Sequence, residues 1–188
     1  MSTEKSRAIV LRLVDFSESS CVVTLFTEDF GKIAALAKGA RRPKGPFESA
    51  LDLLAICRVV FLHKSSSSLD LLTEAKLETR FRASTRGLSR LYAGYYVAEL
   101  LNELTDIADP HPELFDEALS TLASLNSNAD VLTAIVRFEL TTLRLLGHLP
   151  TWDQCAGCGT AVSGEKRLAF GQLAGGVLCA TCRAGQRE

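Results

Sequence analysis

The sequence predicts an α+β chain of several domains: a small five-stranded β-barrel first, a helical domain in the middle and a four-cysteine metal module last. Three observations predict it. Apolar residues alternate with period two from Ser6 to about Lys76, the period becomes helical near Ser84, and two CxxC pairs lie towards the end. With 188 residues, 47% of them apolar and 23% charged, the composition is that of a globular protein. Whole-chain disorder, a collagen repeat and a coiled-coil rod are excluded on that ground.

The strands come first. Ile9, Leu11 and Leu13 alternate with Val10, Arg12 and Val14, and residues 21–26 repeat the pattern with β-branched side chains, as half-buried strands require. Residues 27–31 read as a hairpin turn in which Gly31 supplies a positive φ. A third strand follows at 32–37. Residues 38–49 hold two glycines and two prolines without periodicity, so they form a loop before a long apolar strand at 51–63. Residues 64–68 are a second loop, and 69–76 give the fifth strand. Five strands in so short a segment suit a small closed barrel of the oligonucleotide-binding (OB) type better than a sandwich of seven or more. Cys21 and Cys57 fall in apolar strand surroundings with no basic or histidine neighbour, which marks them as core residues.

The helical segment begins after a Ser84/Thr85 cap. Leu88, Leu91, Tyr92, Tyr95, Ala98 and Leu101 follow helical spacing up to Asp109-Pro110. Pro112 opens a second helix whose inner face is Leu114, Phe115, Ala118, Leu119, Leu122 and Leu125. Asn128 or Asp130 caps a third, with Leu132, Ile135, Val136, Leu140 and Leu143 inward and Gly147 as its stop. The domains are therefore expected at 1–78, 79–150 and 151–188.

Cys155, Cys158, Cys179 and Cys182 form two CxxC pairs with 20 residues between them. Each pair turns two thiolates towards one point, Gly157 and Gly159 permit the tight backbone, and four soft sulfur ligands favour one Zn²⁺ ion. A shell closed by four cysteines leaves no open position for water, so this zinc is expected to hold a fold together and to catalyse nothing.

Charge is unevenly spread. The formal net of -1 combines +5 over residues 1–90, -7 over 91–150 and +1 over 151–188. Lys32, Lys38, Arg41, Arg42 and Lys44 lie between Phe30 and Phe47 with no acid among them, while Arg82, Arg86 and Arg90 have the spacing of one helical face. These eight residues are the candidate nucleic-acid contacts, with Phe16, Phe26, Phe30 and Phe47 as possible stacking faces. The acidic stretch beyond Arg90 repels phosphate and confines any track to the barrel and the start of the helices. No GxxxxGK[ST], GxGxxG or HExxH motif occurs, and the three histidines stand far apart, so the chain is expected not to be an enzyme. A charged start, no run of about 18 apolar residues and paired rather than scattered cysteines point to a reducing cytoplasm and no membrane.

The stretch Ala37-Lys-Gly-Ala-Arg-Arg-Pro-Lys44 resembles the RecO family of bacterial DNA repair and recombination mediators. So do residues 7–10, 23–28, 91–101 and 145–149, the last leading into Cys155-Ala-Gly-Cys158. The resemblance implies an OB barrel, a helical domain and a zinc module. It also implies binding of single- and double-stranded DNA, strand annealing and a nucleoid-associated place in the cytoplasm. The partners it implies are RecR, single-strand-binding protein, RecF in some lineages and the recombinase RecA, which the family helps to load. Lys38, Arg41, Arg42 and Lys44 would form the family's basic loop. Arg137 and Arg144, the only basic residues between 91 and 150, would receive the acidic tail of single-strand-binding protein. Members continue well past the metal segment, whereas this sequence stops six residues after Cys182, so the family's final helical portion is expected to be absent. An RNA-binding or transcription-type zinc-ribbon protein and a zinc hydrolase are the alternative readings.

Overall fold

The computed structural model describes residues 2–42, 45, 47, 50–63, 69–162 and 168–185. The expected loop at 64–68 and Lys44 lie outside them. Two compact units divide the chain, residues 1–138 and 139–188.

The first unit begins with a closed barrel in the order β1-β2-β3-β5-β4. Its strands are β1 (Ser2–Asp15), β2 (Cys21–Thr27), β3 (Gly31–Ala37), β4 (Ile56–His63) and β5 (Asp70–Thr79). All pairings are antiparallel except the closing one, in which Ala35, Leu36 and Ala37 of β3 run parallel to Asp70, Leu71 and Leu72 of β5. Alternation places Ala8, Val10, Val23, Leu25, Ile33, Ala35, Val59, Phe61 and Leu72 inside. Phe47 closes over this core and is 3% exposed. Both isolated cysteines are buried; the Cys57 thiol donates to the Ala50 carbonyl at 3.0 Å, and burial pushes it up to about 11.

The long strand expected at 51–63 starts only at Ile56. Leu54 has a φ of 62°, a left-handed backbone that no extended strand contains. It is held there by a two-way exchange with β1: the Leu54 N–H donates to the Val10 carbonyl at 2.8 Å, and the Val10 N–H donates to the Ala55 carbonyl at 3.0 Å. The strain is stabilised by burial, since the Leu54 side chain is 1% exposed.

A 3₁₀ turn (Ala83–Arg86) leads into α1 (Leu88–Leu104), followed by α2 (Pro112–Leu125) and α3 (Val131–Leu145). The buried face of α1 is Ala93, Gly94, Val97, Ala98 and Leu101, whereas the expected Leu88, Tyr92 and Tyr95 are exposed. Close approach explains the reversal: a Cβ on Gly94 would collide with the ring of Phe81 and with Leu54, so the small side of the helix is the packed side. α2 starts on Pro112 as expected and buries Leu114, Phe115, Ala118, Leu122 and Leu125. Phe115 meets Phe26 of β2 at 6.1 Å between ring centroids, which docks this helix on the barrel. Asp130 caps α3 by accepting the Thr133 N–H at 2.8 Å. Leu132, Val136 and Leu140 on α3 are exposed, and Phe138 and Thr142 are buried instead.

Gly31 confirms the expected turn with a φ of 66°, and its missing Cβ also leaves room for the backbone of Asp109. Beside it, Ile107 bridges to Lys32 and the Ala108 N–H donates to the Lys32 carbonyl at 2.9 Å. Gly31→Ala is therefore expected to cost roughly 1–3 kcal/mol in strain, plus the clash with Asp109. Urea unfolding should show the loss, and an unchanged midpoint would mean that the 106–109 segment does not rest on this turn.

The second unit carries β6 (Ala169–Gly171), β7 (Gly176–Leu178) and a short α4 (Ala180–Gly185). Gly147, at φ 76°, ends the preceding helix as expected. Cys155, Val162, Val177 and Leu178 are the buried cluster here, with Ala174, Cys179 and Cys182 partly buried against them. Among the described residues, no helix is long and apolar enough to cross a membrane.

Candidate nucleic-acid surface and metal centre

The basic loop leaves the barrel at the end where β1 finishes and β2 begins. Lys38, Arg41 and Arg42 follow β3 there; Lys38 and Arg42 project into solvent, and the Arg41 side chain is 49% exposed. Gly39, at φ 75°, makes the turn, and the Arg42 N–H donates back to its carbonyl at 3.0 Å. The Arg41 N–H donates to the Ser19 carbonyl at 3.2 Å, tying this loop to the β1–β2 loop, and the Arg41 guanidinium meets Asp15 at 2.9 Å. Phe16, 63% exposed, sits on the β1–β2 loop. Of the four phenylalanines considered as stacking faces it is the exposed one: Phe26 and Phe47 are buried in the core, and half-buried Phe30 lies at the other end of the barrel.

Lys32 is elsewhere. Its ammonium donates to the carbonyls of Asn102 and Thr105, each at 2.5 Å, so it neutralises the C-terminal end of α1 instead of facing solvent. Arg90 behaves alike, donating to the carbonyl of Leu125 at 3.4 Å and to that of Ala129 at 2.7 Å beyond the end of α2. The expected alignment of Arg82, Arg86 and Arg90 on one helical face does not form. Arg82 precedes the 3₁₀ turn, Arg86 ends it, and Gly87 at φ 128° separates both from α1. Arg82 is exposed, with its backbone N–H given to Asn126 Oδ1 at 2.9 Å; the side chain of Arg86 lies outside the described residues, as does Lys44. Arg137 is exposed and paired with Glu117 at 3.3 Å, and Arg144 lies in the last turn of α3.

A row of cations, of which the sequence singles out only Lys76 as part of a basic run from Lys76 to Arg90, crosses the outer sheet face. Register sets Arg7 of β1 beside Arg58 of β4, and Arg58 beside Lys76 of β5. Only strand pairing reveals it, because the three are far apart in sequence. Glu78 accepts from Arg58 Nε at 2.5 Å and from Arg7 Nε at 3.1 Å, and these bonds, with Arg58 first, hold its carboxyl below the usual range. The row is thus partly neutralised from within.

The four cysteines converge, with all their Sγ atoms within 4.8 Å of one another. Cys158 and Cys179 Sγ are 3.8 Å apart, and the edge of a tetrahedron with metal–sulfur bonds of about 2.3 Å is ~3.8 Å. Backbone donors point at the sulfurs: the Cys179 N–H reaches Cys155 Sγ at 3.3 Å and the Cys182 N–H reaches Cys179 Sγ at 3.5 Å. The N–H groups of Cys179, Gly157 and Cys158 bring the Cys155 thiol down to about 6. The neighbouring sulfurs of Cys158, Cys179 and Cys155 push the Cys182 thiol up to about 12. A Cβ on Gly157 would lie 3.1 Å from Cys182 Sγ, so any larger residue there has to push that sulfur aside by a few tenths of an ångström. Four convergent sulfurs with amide donors could hold a soft metal ion.

Comparison with known proteins agrees with this architecture. Residues 1–81 match the protein family described as Recombination protein O N terminal, and residues 86–188 match Recombination protein O C terminal. A protein of Rhodopirellula baltica named DNA repair protein RecO is 51% identical over 180 residues, covering 95% of this chain and 67% of its own length. Proteins of the same name from Anaeromyxobacter dehalogenans and Myxococcus xanthus are 37% and 36% identical over 185 and 181 residues. They cover 98% and 96% of this chain, and 72% and 73% of their own lengths.

Proposed function

The chain belongs to the recombination protein O family, whose role is in recombinational DNA repair, and from that premise we propose that it works as a DNA-binding mediator without covalent chemistry. It binds single- and double-stranded DNA, anneals complementary strands and helps to load a recombinase onto DNA coated with single-strand-binding protein. The observation that carries this reading is the set Lys38, Arg41 and Arg42 on one end of a closed five-stranded barrel, with exposed Phe16 on the loop tied to them. Cations neutralise phosphates and an aromatic face accepts an unpaired base, which together favour single strands without reading their sequence. Annealing requires only that repulsion between two strands be lowered while their bases stay free to search.

The four cysteines hold one structural Zn²⁺. Sulfur ligands select a soft ion, and a shell of four leaves no position from which bound water could react. A cytoplasmic, nucleoid-associated protein that works beside RecR, single-strand-binding protein, RecF and RecA is the fuller form of the reading. Arg144 is the better placed of the two expected partner contacts, because Arg137 is already paired with Glu117.

Strand annealing tests this function. Two complementary oligonucleotides coated with single-strand-binding protein should anneal at least several-fold faster with the protein present at about 0.1 M salt, and the gain should shrink steeply as salt rises. Preference for structured RNA over single-stranded DNA, or no acceleration, would overturn it.

A further inference from the structure

The other end of the barrel has the opposite character. A cavity of about 330 Å³ opens there, between the start of β3, the end of β4 and the segment from Ile107 to Pro110. Its floor is apolar: Phe30 and Phe61 meet edge to face at 5.4 Å, and Ile33 and Ile107 flank them. Its rim is acidic. Glu4, Asp29 and Asp70 all line it, and among the described lining residues the sole basic group is His63, which pairs with Asp70 at 3.1 Å. Asp29 is fixed in position, accepting from Ser6 Oγ at 2.7 Å while its own N–H donates to that oxygen at 3.3 Å. Asp70 is only 8% exposed, so its carboxylate acts through a poorly hydrated wall, where attraction for a cation is strengthened.

Extended backbone also runs beside the cavity. Among the described residues, the pairing of β3 with β5 covers Ala35 to Ala37, and Ile107 bridges to Lys32. Ile33 and Ala34, between these, line the cavity. An extended segment of another chain can lie along such backbone, its side chains entering the cavity.

We propose that this cavity binds an extended peptide segment of a protein partner, one that carries a lysine or arginine next to an apolar side chain. The apolar side chain rests on Phe30, Phe61 and Ile107, and the cation faces Glu4, Asp29 and Asp70. A volume of about 330 Å³ admits one or two side chains, not a folded surface. The same carboxylates repel phosphate, so DNA at the basic end and a basic peptide at the acidic end occupy opposite ends of one barrel without competing. The inference does not depend on which nucleic acid the basic loop prefers.

The test is fluorescence anisotropy of the full chain with two labelled hexapeptides, one with lysine and arginine flanking leucine and phenylalanine, the other with glutamates in place of the bases. The basic peptide should bind and the acidic one should not. Glu4→Gln with Asp29→Asn should weaken the basic peptide about tenfold, and Ile107→Ser should weaken it while leaving its salt dependence in place. Glu4→Gln alone, on a partly exposed side chain, serves if the double variant fails to fold. An excess of single-stranded oligonucleotide should leave the peptide bound. Equal binding of both peptides, no binding of either, indifference to Glu4→Gln, or displacement by the oligonucleotide would each overturn the proposal.

Discussion

Removal of the proposed zinc is expected to unfold residues 151–185 and to leave the barrel standing. The buried cluster of this segment is Cys155, Val162, Val177 and Leu178, one ligand and three aliphatic side chains. A module of about 40 residues with so little core does not order itself, and structural zinc contributes on the order of 10 kcal/mol or more in comparable small folds. The barrel has its own extensive core, from Ala8 and Val10 through Phe61 and Leu72, and none of the four ligands, so it has no reason to follow. Trp152 is the single tryptophan of the chain, and its ring lies 5.5 Å from that of Phe170. Its fluorescence therefore reports on the metal unit alone. Chelation, or Cys155→Ser, should shift that emission to longer wavelength and abolish amide protection in β6 and β7, while β1 to β5 stay protected. Native mass spectrometry should count one zinc per chain. A metal-free protein with unaltered Trp152 emission would refute the structural role.

The second expected result concerns the basic loop. Arg41→Ala with Arg42→Ala should lower the slope of log affinity against log salt by about 0.7 for each single-strand phosphate that is no longer neutralised, and weaken binding about tenfold at moderate salt. Stability should hardly move, because the Arg41–Asp15 pair is 49% and 73% exposed and such pairs contribute about 0–1 kcal/mol. Asp15→Asn should act in the opposite direction, since it releases Arg41 from its internal counter-charge. Lys32→Ala provides the contrast: it should destabilise the fold by removing the cation at the end of α1 and leave the salt slope alone. Filter binding across a salt series distinguishes these outcomes. A slope unchanged by the double substitution would remove the loop from the track.

The barrel was legible because alternation is a local property of β1, β2 and β3, and the cysteine cluster because its four members declare themselves by spacing. Other features depend on partners distant in sequence. The start of β4 follows from hydrogen bonds between Leu54 and Val10, which no window around residue 54 contains. The face of α1 is not where bulk suggests: Gly94 lies so close to Phe81 that it has no room for a Cβ, the packed face is Ala93, Gly94, Val97, Ala98 and Leu101, and the tyrosines turn outward. The candidate DNA-binding residues divide on the same principle. Lys38, Arg41 and Arg42 stand in a solvent-facing turn, as their surroundings suggest, whereas Lys32 and Arg90 are drawn to helix ends that fold against them only in three dimensions. The acidic cavity had no signal at all, being assembled from separate stretches of chain that run from Glu4 to Pro110.

Among the described residues, the barrel closes through three parallel residue pairs between β3 and β5, whereas β2 and β3 share seven. The three join Ala35 to Asp70, Leu36 to Leu71 and Ala37 to Leu72, so loop-closure entropy makes them late to form, and their short register makes them early to part. The fold is thus a ring with a clasp. Amide hydrogens along Ala35 to Ala37 and Asp70 to Leu72 should exchange by brief local openings well below the free energy of global unfolding, and the ring would breathe at that clasp.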